Sequence, residues 1–227
     1  MARRPPDDQA PDPAEVLRIA QRAGGRLDEA QADKLARYLG LLMRWNRKLN
    51  LVGPSHWREV LETLVPDSFH LPGFLDELGL PAGPLCLDFG AGAGLPGIPL
   101  RILRDAGEHH LVEPREKRAV FLQRITAELG LQRTFVHRTR VQGLDPALAS
   151  ADAVMAKAFL PWPQYAALAR EWVRPGGAVI VLASHPAPDA QKLAAQAPGL
   201  ALVRESSYRA RGERRYFWGL TPASASS

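Results

Sequence analysis

In LDFGAGAGLPGIPL, residues 87–100, the spacing of the glycines implies ligand chemistry. Gly92, Gly94 and Gly97 read as Gly-x-Gly-x-x-Gly, which after a strand lets a backbone approach a dinucleotide pyrophosphate. Started at Asp88, the same run reads Asp-x-Gly-x-Gly-x-Gly, the loop expected around S-adenosylmethionine. Glu113 ends the next apolar run, 23 residues after Gly90 and 21 after Gly92. A carboxylate there accepts hydrogen bonds from ribose hydroxyls with either cofactor. Asp88 separates the two. At a strand tip it would oppose a pyrophosphate but suit a ligand carrying an ammonium and a sulfonium. A dinucleotide loop also starts directly at the strand end, whereas Gly92 comes three residues after Phe89. Residue chemistry therefore favours S-adenosylmethionine, with contacts expected from Asp88, Gly90, Gly92, Gly94 and Glu113. A nicotinamide-dependent oxidoreductase using Gly92, Gly94 and Gly97 is the alternative.

Such a loop needs a strand before it and a helix after it, and the chain supplies both. PLCLDF is a short apolar run, and the stretch after the glycines stays apolar at helical length through Leu103. EHHLVE, TFVHR, DAVMAKAF and GAVIVLAS read as further strands, with Lys117–Leu129 and PQYAALAREWV as helices. Strand and helix alternating over short connections predict a parallel sheet covered on both faces. LALVRESSYR and RRYFWGLTP, separated by a Gly212 turn, predict an antiparallel hairpin. Upstream, Leu35, Leu39, Leu42 and Met43 share one helical face, and Gly and Pro punctuate the joints from Gly53 to Pro84. The expected organisation is a disordered arm over 1–14, a helical cap over 15–83, an α/β domain over 84–222 and a disordered tail over 223–227.

At 227 residues and 46% hydrophobic, the chain can bury a full-sized core. One cysteine, Cys86, excludes an internal disulfide framework and suits a reducing compartment. The polar, proline-rich start MARRPPDDQAPDP has no signal-peptide core, and no apolar run has the length to span a bilayer. The expectation is a monomeric cytoplasmic protein with no membrane partner. Net charge is +5, and its distribution says more than its size. Between Arg115 and Arg140 seven Lys/Arg face two acids, and five arginines cluster at 204–215. These clusters read as phosphate-binding surface or as ordinary solvated faces.

The glycine loop with its Leu-Pro-Gly-Ile-Pro continuation closely resembles that of the RsmG (GidB) small-subunit rRNA methyltransferases. LVEPREKRAVFLQRITAELGL is similar to that family's next strand and helix, including Lys117-Arg118 and Phe121-Leu122. WNRKLNL resembles its N-terminal Trp-Asn-x-x-x-Asn-Leu, Asp67-Ser68 its Asp-Ser, and DAVMAKAF its strand ending Arg-Ala-Phe. The likeness runs from about Leu41 to the final strand. It implies a class I methyltransferase fold (Rossmann-like, mostly parallel, with the hairpin and cap) and methyl transfer to guanine N7 in the decoding-region loop of 16S rRNA. It carries cofactor contacts onto Gly90, Leu95, Val141, Gln142 and Lys157, and RNA binding or activity onto Lys117, Arg118, Arg140, Lys157 and Arg214. By that resemblance Lys157 stands where the family has arginine, Gln142-Gly143 where it has an acidic pair, and VLASH lacks its lysine near the end of the fifth strand.

The remaining residues narrow the chemistry. Cys86 lies inside a strand, so it is not placed as a nucleophile for pyrimidine C5. Ala156-Lys157-Ala158-Phe159-Leu160-Pro161-Trp162 offers no amide or carboxylate to accept protons from an exocyclic amine. Guanine N7 carries an in-plane lone pair and no proton, so it needs no general base. Catalytic residues are therefore left unassigned; Lys157 and Phe159 are expected to position, Lys157 addressing a cofactor carboxylate or RNA phosphate. Phe159 and Trp162 are candidates for stacking on the base. The six histidines lack metal-ligand spacing, and Ser184-His185 lacks a nucleophile elbow. A non-catalytic RNA-binding relative is the other alternative.

Overall fold

In the computed structural model, residues 10–223 are described. Four helices come first: α1 (Pro13–Arg22), α2 (Glu29–Leu49), α3 (Trp57–Thr63) and α4 (Pro66–Glu77). Helix α1 starts inside the stretch expected to be disordered to residue 14, because Asp12 caps it through the Ala14 amide and Pro13 suits a first helical turn. Asp28 and Gln31 form a reciprocal capping box for α2. Asn50 ends α2 in the left-handed region at φ 48°, while Asn46 holds the Val52 amide and Pro54 carbonyl of the following loop. These roles account for the two asparagines of the Trp-Asn-x-x-x-Asn-Leu pattern by local geometry.

The strands are β1 (Leu85–Phe89), β2 (Glu108–Val112), β3 (Thr134–His137), β4 (Ala151–Ala156), β5 (Val173–Ala183), β6 (Leu200–Ala210) and β7 (Glu213–Pro222). They form one sheet in the order β3-β2-β1-β4-β5-β7-β6. All neighbours are parallel up to β5, and β7 is antiparallel to both β5 and β6, so the predicted hairpin is present. Thr221 and Pro222 belong to β7, and the expected tail beyond residue 223 lies outside the described residues. Helices α5 (Gly97–Leu103), α6 (Glu116–Glu128), α7 (Trp162–Arg170) and α8 (Ala190–Gln196) fill the connections. Helix α8 is not among the helices that the sequence pattern predicts.

Alternation along β1 sends Leu87 and Phe89 to one face with Val154, Tyr165 and Trp218. Cys86 goes to the other, with Met155, Ile180 and Leu71, Phe74 and Leu75 of α4. The cap does not keep a core to itself. Leu35, Leu39 and Leu42 pack in one cluster with Ala91, Ala93 and Leu95 of the glycine loop and with Phe121 and Ile125 of α6. No helix among the described residues is long and apolar enough to cross a membrane.

Candidate active site

Strand order reverses between β1 and β4, and ligands of open α/β sheets sit at the carboxyl ends beside that switch. There Phe89 of β1 pairs with Ala156 of β4, so the glycine loop and the Lys157–Trp162 segment leave the sheet side by side. One wall of the resulting cleft is made of backbone. Gly90, Gly92 and Gly94 have φ of 68°, 55° and 83°, a region other residues rarely adopt. A β-carbon on Gly90 would lie 2.5 Å from the Phe159 ring, and one on Gly94 2.5 Å from Ile98. The loop has the closeness that its spacing predicts.

The cap holds this loop from outside. Tyr38 of α2 donates to the Ala93 carbonyl at 3.0 Å, and Ser68 of α4 donates to the Pro96 carbonyl at 3.0 Å. Glu113, at the end of β2, accepts from the Gly92 amide at 3.1 Å and the Arg115 amide at 2.8 Å. It therefore stands at the strand tip beside the glycine loop and ties the loop to the start of α6. Arg118, expected on an RNA face, is half-buried with a guanidinium nitrogen 3.5 Å from where a Gly92 β-carbon would be, beside Glu113.

Asp88 requires a correction. The same alternation that sends Phe89 to one face sends Asp88 to the other, under α5, where it has no exposure. One carboxylate oxygen accepts from the Gly97 amide at 3.1 Å; the other has no partner among the described residues. Burial pushes the carboxyl up to about 7, against the opposing pull of the Gly97 amide and Lys157. Asp88 thus braces the start of α5 and is not exposed to greet a cationic ligand.

The second wall is made of side chains. Lys157 does not project freely toward a cofactor or phosphate, as expected of it. Its ammonium donates to the Leu64 carbonyl at 2.8 Å and pairs with the buried Asp67 of α4. Asp67 also accepts from the Tyr208 hydroxyl and from Arg215 at 3.2 Å. Burial would raise the Asp67 carboxyl, but Lys157, Tyr208 and Arg215 together hold it below the usual carboxylate range. His70 of α4 stacks on Tyr208 with ring centres 4.0 Å apart. Sequence reasoning named Asp67-Ser68 only as a family feature, counted Arg215 only within the 204–215 arginine cluster, and missed Tyr38 and Tyr208. The adjacency of Asp67 and Ser68 was the available signal, since one reaches each wall.

The other expected contacts lie along the same edge of the sheet. Val141 is buried with Leu87, Phe89 and Val112 in a short 3-10 turn after β3, with Gln142 exposed beside it. Leu95 is buried in the loop. Lys117, Arg140 and Arg214 are exposed, at the start of α6, after β3 and at the start of β7. Because β7 runs antiparallel to β5, its start falls at this edge too. Cys86 is buried and its thiol is pushed up to about 12, chiefly by burial, which leaves it inert. No group of three or more His, Cys, Asp or Glu among the described residues could hold a metal ion.

The strand order, the glycine loop at the switch point and Glu113 at the next strand tip define a class I methyltransferase fold. It is similar to magnesium protoporphyrin IX methyltransferase from Synechocystis PCC 6803, solved with bound S-adenosylmethionine, at TM-score 0.55 and 10% identity over 82% of this chain and 97% of that one. A mutant of MtNAS in complex with S-adenosylmethionine gives 0.57 at 16% identity, over 96% and 86%. A family model described as "GidB: rRNA small subunit methyltransferase G" matches residues 31–215, and the chain belongs to that family. Ribosomal RNA small subunit methyltransferase G of Oleidesulfovibrio alaskensis is 44% identical over 90% of this chain and 91% of its own length. Its counterpart in Nitratidesulfovibrio vulgaris is 41% identical over 92% and 93%.

Proposed function

We propose that this protein transfers a methyl group from S-adenosylmethionine to N7 of a guanine in the 16S rRNA of the small ribosomal subunit. The family match over residues 31–215 carries the reading, and the glycine cradle with Glu113 is chemically suited to that cofactor. The cofactor, when bound, supplies an electrophilic methyl on a sulfonium. The loop backbone at Gly90, Gly92 and Gly94, bare of β-carbons, cradles it together with Leu95, Glu113 receives the ribose hydroxyls, and Val141 and Gln142 flank the adenine.

In-line displacement demands alignment above all. The N7 lone pair forms the new bond to carbon as the carbon–sulfur bond breaks, and the positive charge passes from sulfur to the base. No proton moves, so no base is required of the chain. A cation aimed at N7 would oppose that charge, and Asp67 holds Lys157 neutralised beside the cleft. Exposed Lys117, Arg140 and Arg214 line the rim as phosphate contacts. If these three meet phosphates, log affinity falls against log salt with a slope of about −2 to −3.

The test is mapping of 7-methylguanosine in 16S rRNA from cells with and without this gene. A modification that disappears with the gene, and returns in vitro with the purified protein and labelled cofactor, is the expected result. An unchanged modification map overturns the reading.

A further inference from the structure

We infer that a cavity of about 230 Å³ at the ends of β4 and β5 is the seat of the extruded target guanine, with His185 reading its Watson–Crick edge. This deepens the function proposed above and rests on it. The walls include Phe159, Leu160, Trp162, Ser184 and His185. Phe159 also packs over Gly90, so the cavity adjoins the cofactor wall. Its volume lies below the roughly 300 Å³ at which drug-sized sites begin, a scale suited to one planar base. Leu160 stands at its rim 41% exposed, an apolar side chain without a cover. Trp162 is held edge-on by the fully buried Trp218, ring centres 5.4 Å apart, which fixes its plane without using both of its faces. RNA bases pulled from a stack are commonly received on aromatic rings of this kind.

The polar side of the cavity chooses the base. His185 Nδ1 lies 2.9 Å from the Pro186 carbonyl, which can only accept, so Nδ1 carries the hydrogen. In the neutral ring Nε2 is then a lone-pair acceptor. The loop is tied down by the Ala187 amide, which donates to Glu205 of β6 at 3.2 Å. Guanine presents donors, N1–H and the 2-amino group, on its Watson–Crick edge, and N7 lies on the other side of the ring system. A guanine held by Nε2 through that edge keeps N7 free to face the methyl group. Adenine offers Nε2 only its 6-amino donor, beside an N1 lone pair that opposes the Nε2 lone pair, and is disfavoured against guanine's two adjacent donors.

The experiment uses the full chain, labelled S-adenosylmethionine and small-subunit particles lacking the modification, and compares wild type with His185→Ala and His185→Gln. S-adenosylhomocysteine affinity is measured alongside. His185→Ala is expected to lower kcat/KM on the particle about five- to tenfold, the worth of one hydrogen bond. Glutamine, whose terminal oxygen can accept near the Nε2 position, restores it to within about twofold. Cofactor-product affinity stays the same in all three. Full activity of His185→Ala, or equal loss in both variants, overturns the inference. A wild type that incorporates no methyl group defeats instead the reading on which the inference rests.

Discussion

The two walls of the cleft are built from different material. On the β1 side the surface is main chain: three glycines at positive φ, with Tyr38 and Ser68 holding loop carbonyls from outside. On the β4 side it is side chains, with Lys157 locked by Asp67, which Tyr208 and Arg215 hold in turn, and the aromatic residues 159 and 162 beyond. A backbone wall is specified by residues that sit together in sequence. A side-chain wall is specified by partners brought together by folding, since Tyr208 and Arg215 lie 141 and 148 residues from Asp67. The first wall suits a cofactor of fixed shape. The second can be retuned by single substitutions, because each of its contacts is made by one side chain.

The largest effect is expected on the side-chain wall. Asp67→Ala leaves Lys157 and Arg215 without their shared anion, and loss of one partner from a buried ion pair costs about 3–5 kcal/mol. Denaturant unfolding checks this; a loss under about 1 kcal/mol would mean that water takes the carboxylate's place. On the backbone wall, Gly90→Ala forces a β-carbon toward Phe159 at a φ of 68°. Strain of about 1–3 kcal/mol results, read as about a tenfold or greater loss of S-adenosylhomocysteine affinity by calorimetry. Unchanged affinity would show that the loop tolerates a side chain.

Beneath the backbone wall, His109 is buried, its Nε2 unpartnered among the described residues and 3.0 Å from where a Gly97 β-carbon would be. Burial, helped by the nearby Arg101 charge, pulls its imidazole down to about 3. The folded state therefore holds it neutral, while the unfolded chain protonates it near its ordinary value of about 6.5. Its contribution is complete above that pH and is lost as pH falls toward 3. Relative to His109→Gln, the wild type should lose about 2 kcal/mol between pH 8 and pH 5, or about 4–8 °C of melting temperature. A constant difference between the two across that range would refute it.

Local signals made the sheet order's components, the glycine loop, Glu113 and the terminal hairpin readable, because each depends on neighbours in sequence. Helix α8 escaped because AQKLAAQ is short and buries only Leu193. The Lys157 network escaped because its members come from α4, the segment after β4, β6 and β7, and meet only on folding. Asp88 is the instructive case. Charge alone pointed it at the ligand, yet the two-residue period of β1, with Cys86 facing the same core, already turned it away. Periodicity outranked charge at a buried strand tip.

That residue also supplies the smallest expected effect and the sharpest test. Asparagine preserves the shape of Asp88 and can still accept from the Gly97 amide. Because burial raises the Asp88 carboxyl to about 7, the wild type carries the cost of a buried anion as pH rises toward and past that value. Asp88→Asn should therefore be at least as stable at pH 8. Titration of S-adenosylhomocysteine into wild type, Asp88→Asn and Glu113→Ala at that pH is the decisive measurement. Affinity within about twofold of wild type for Asp88→Asn, with about tenfold or greater loss for Glu113→Ala, is the predicted result. Loss confined to Asp88→Asn, or equal in both, would contradict a cofactor wall made of backbone and closed by Glu113.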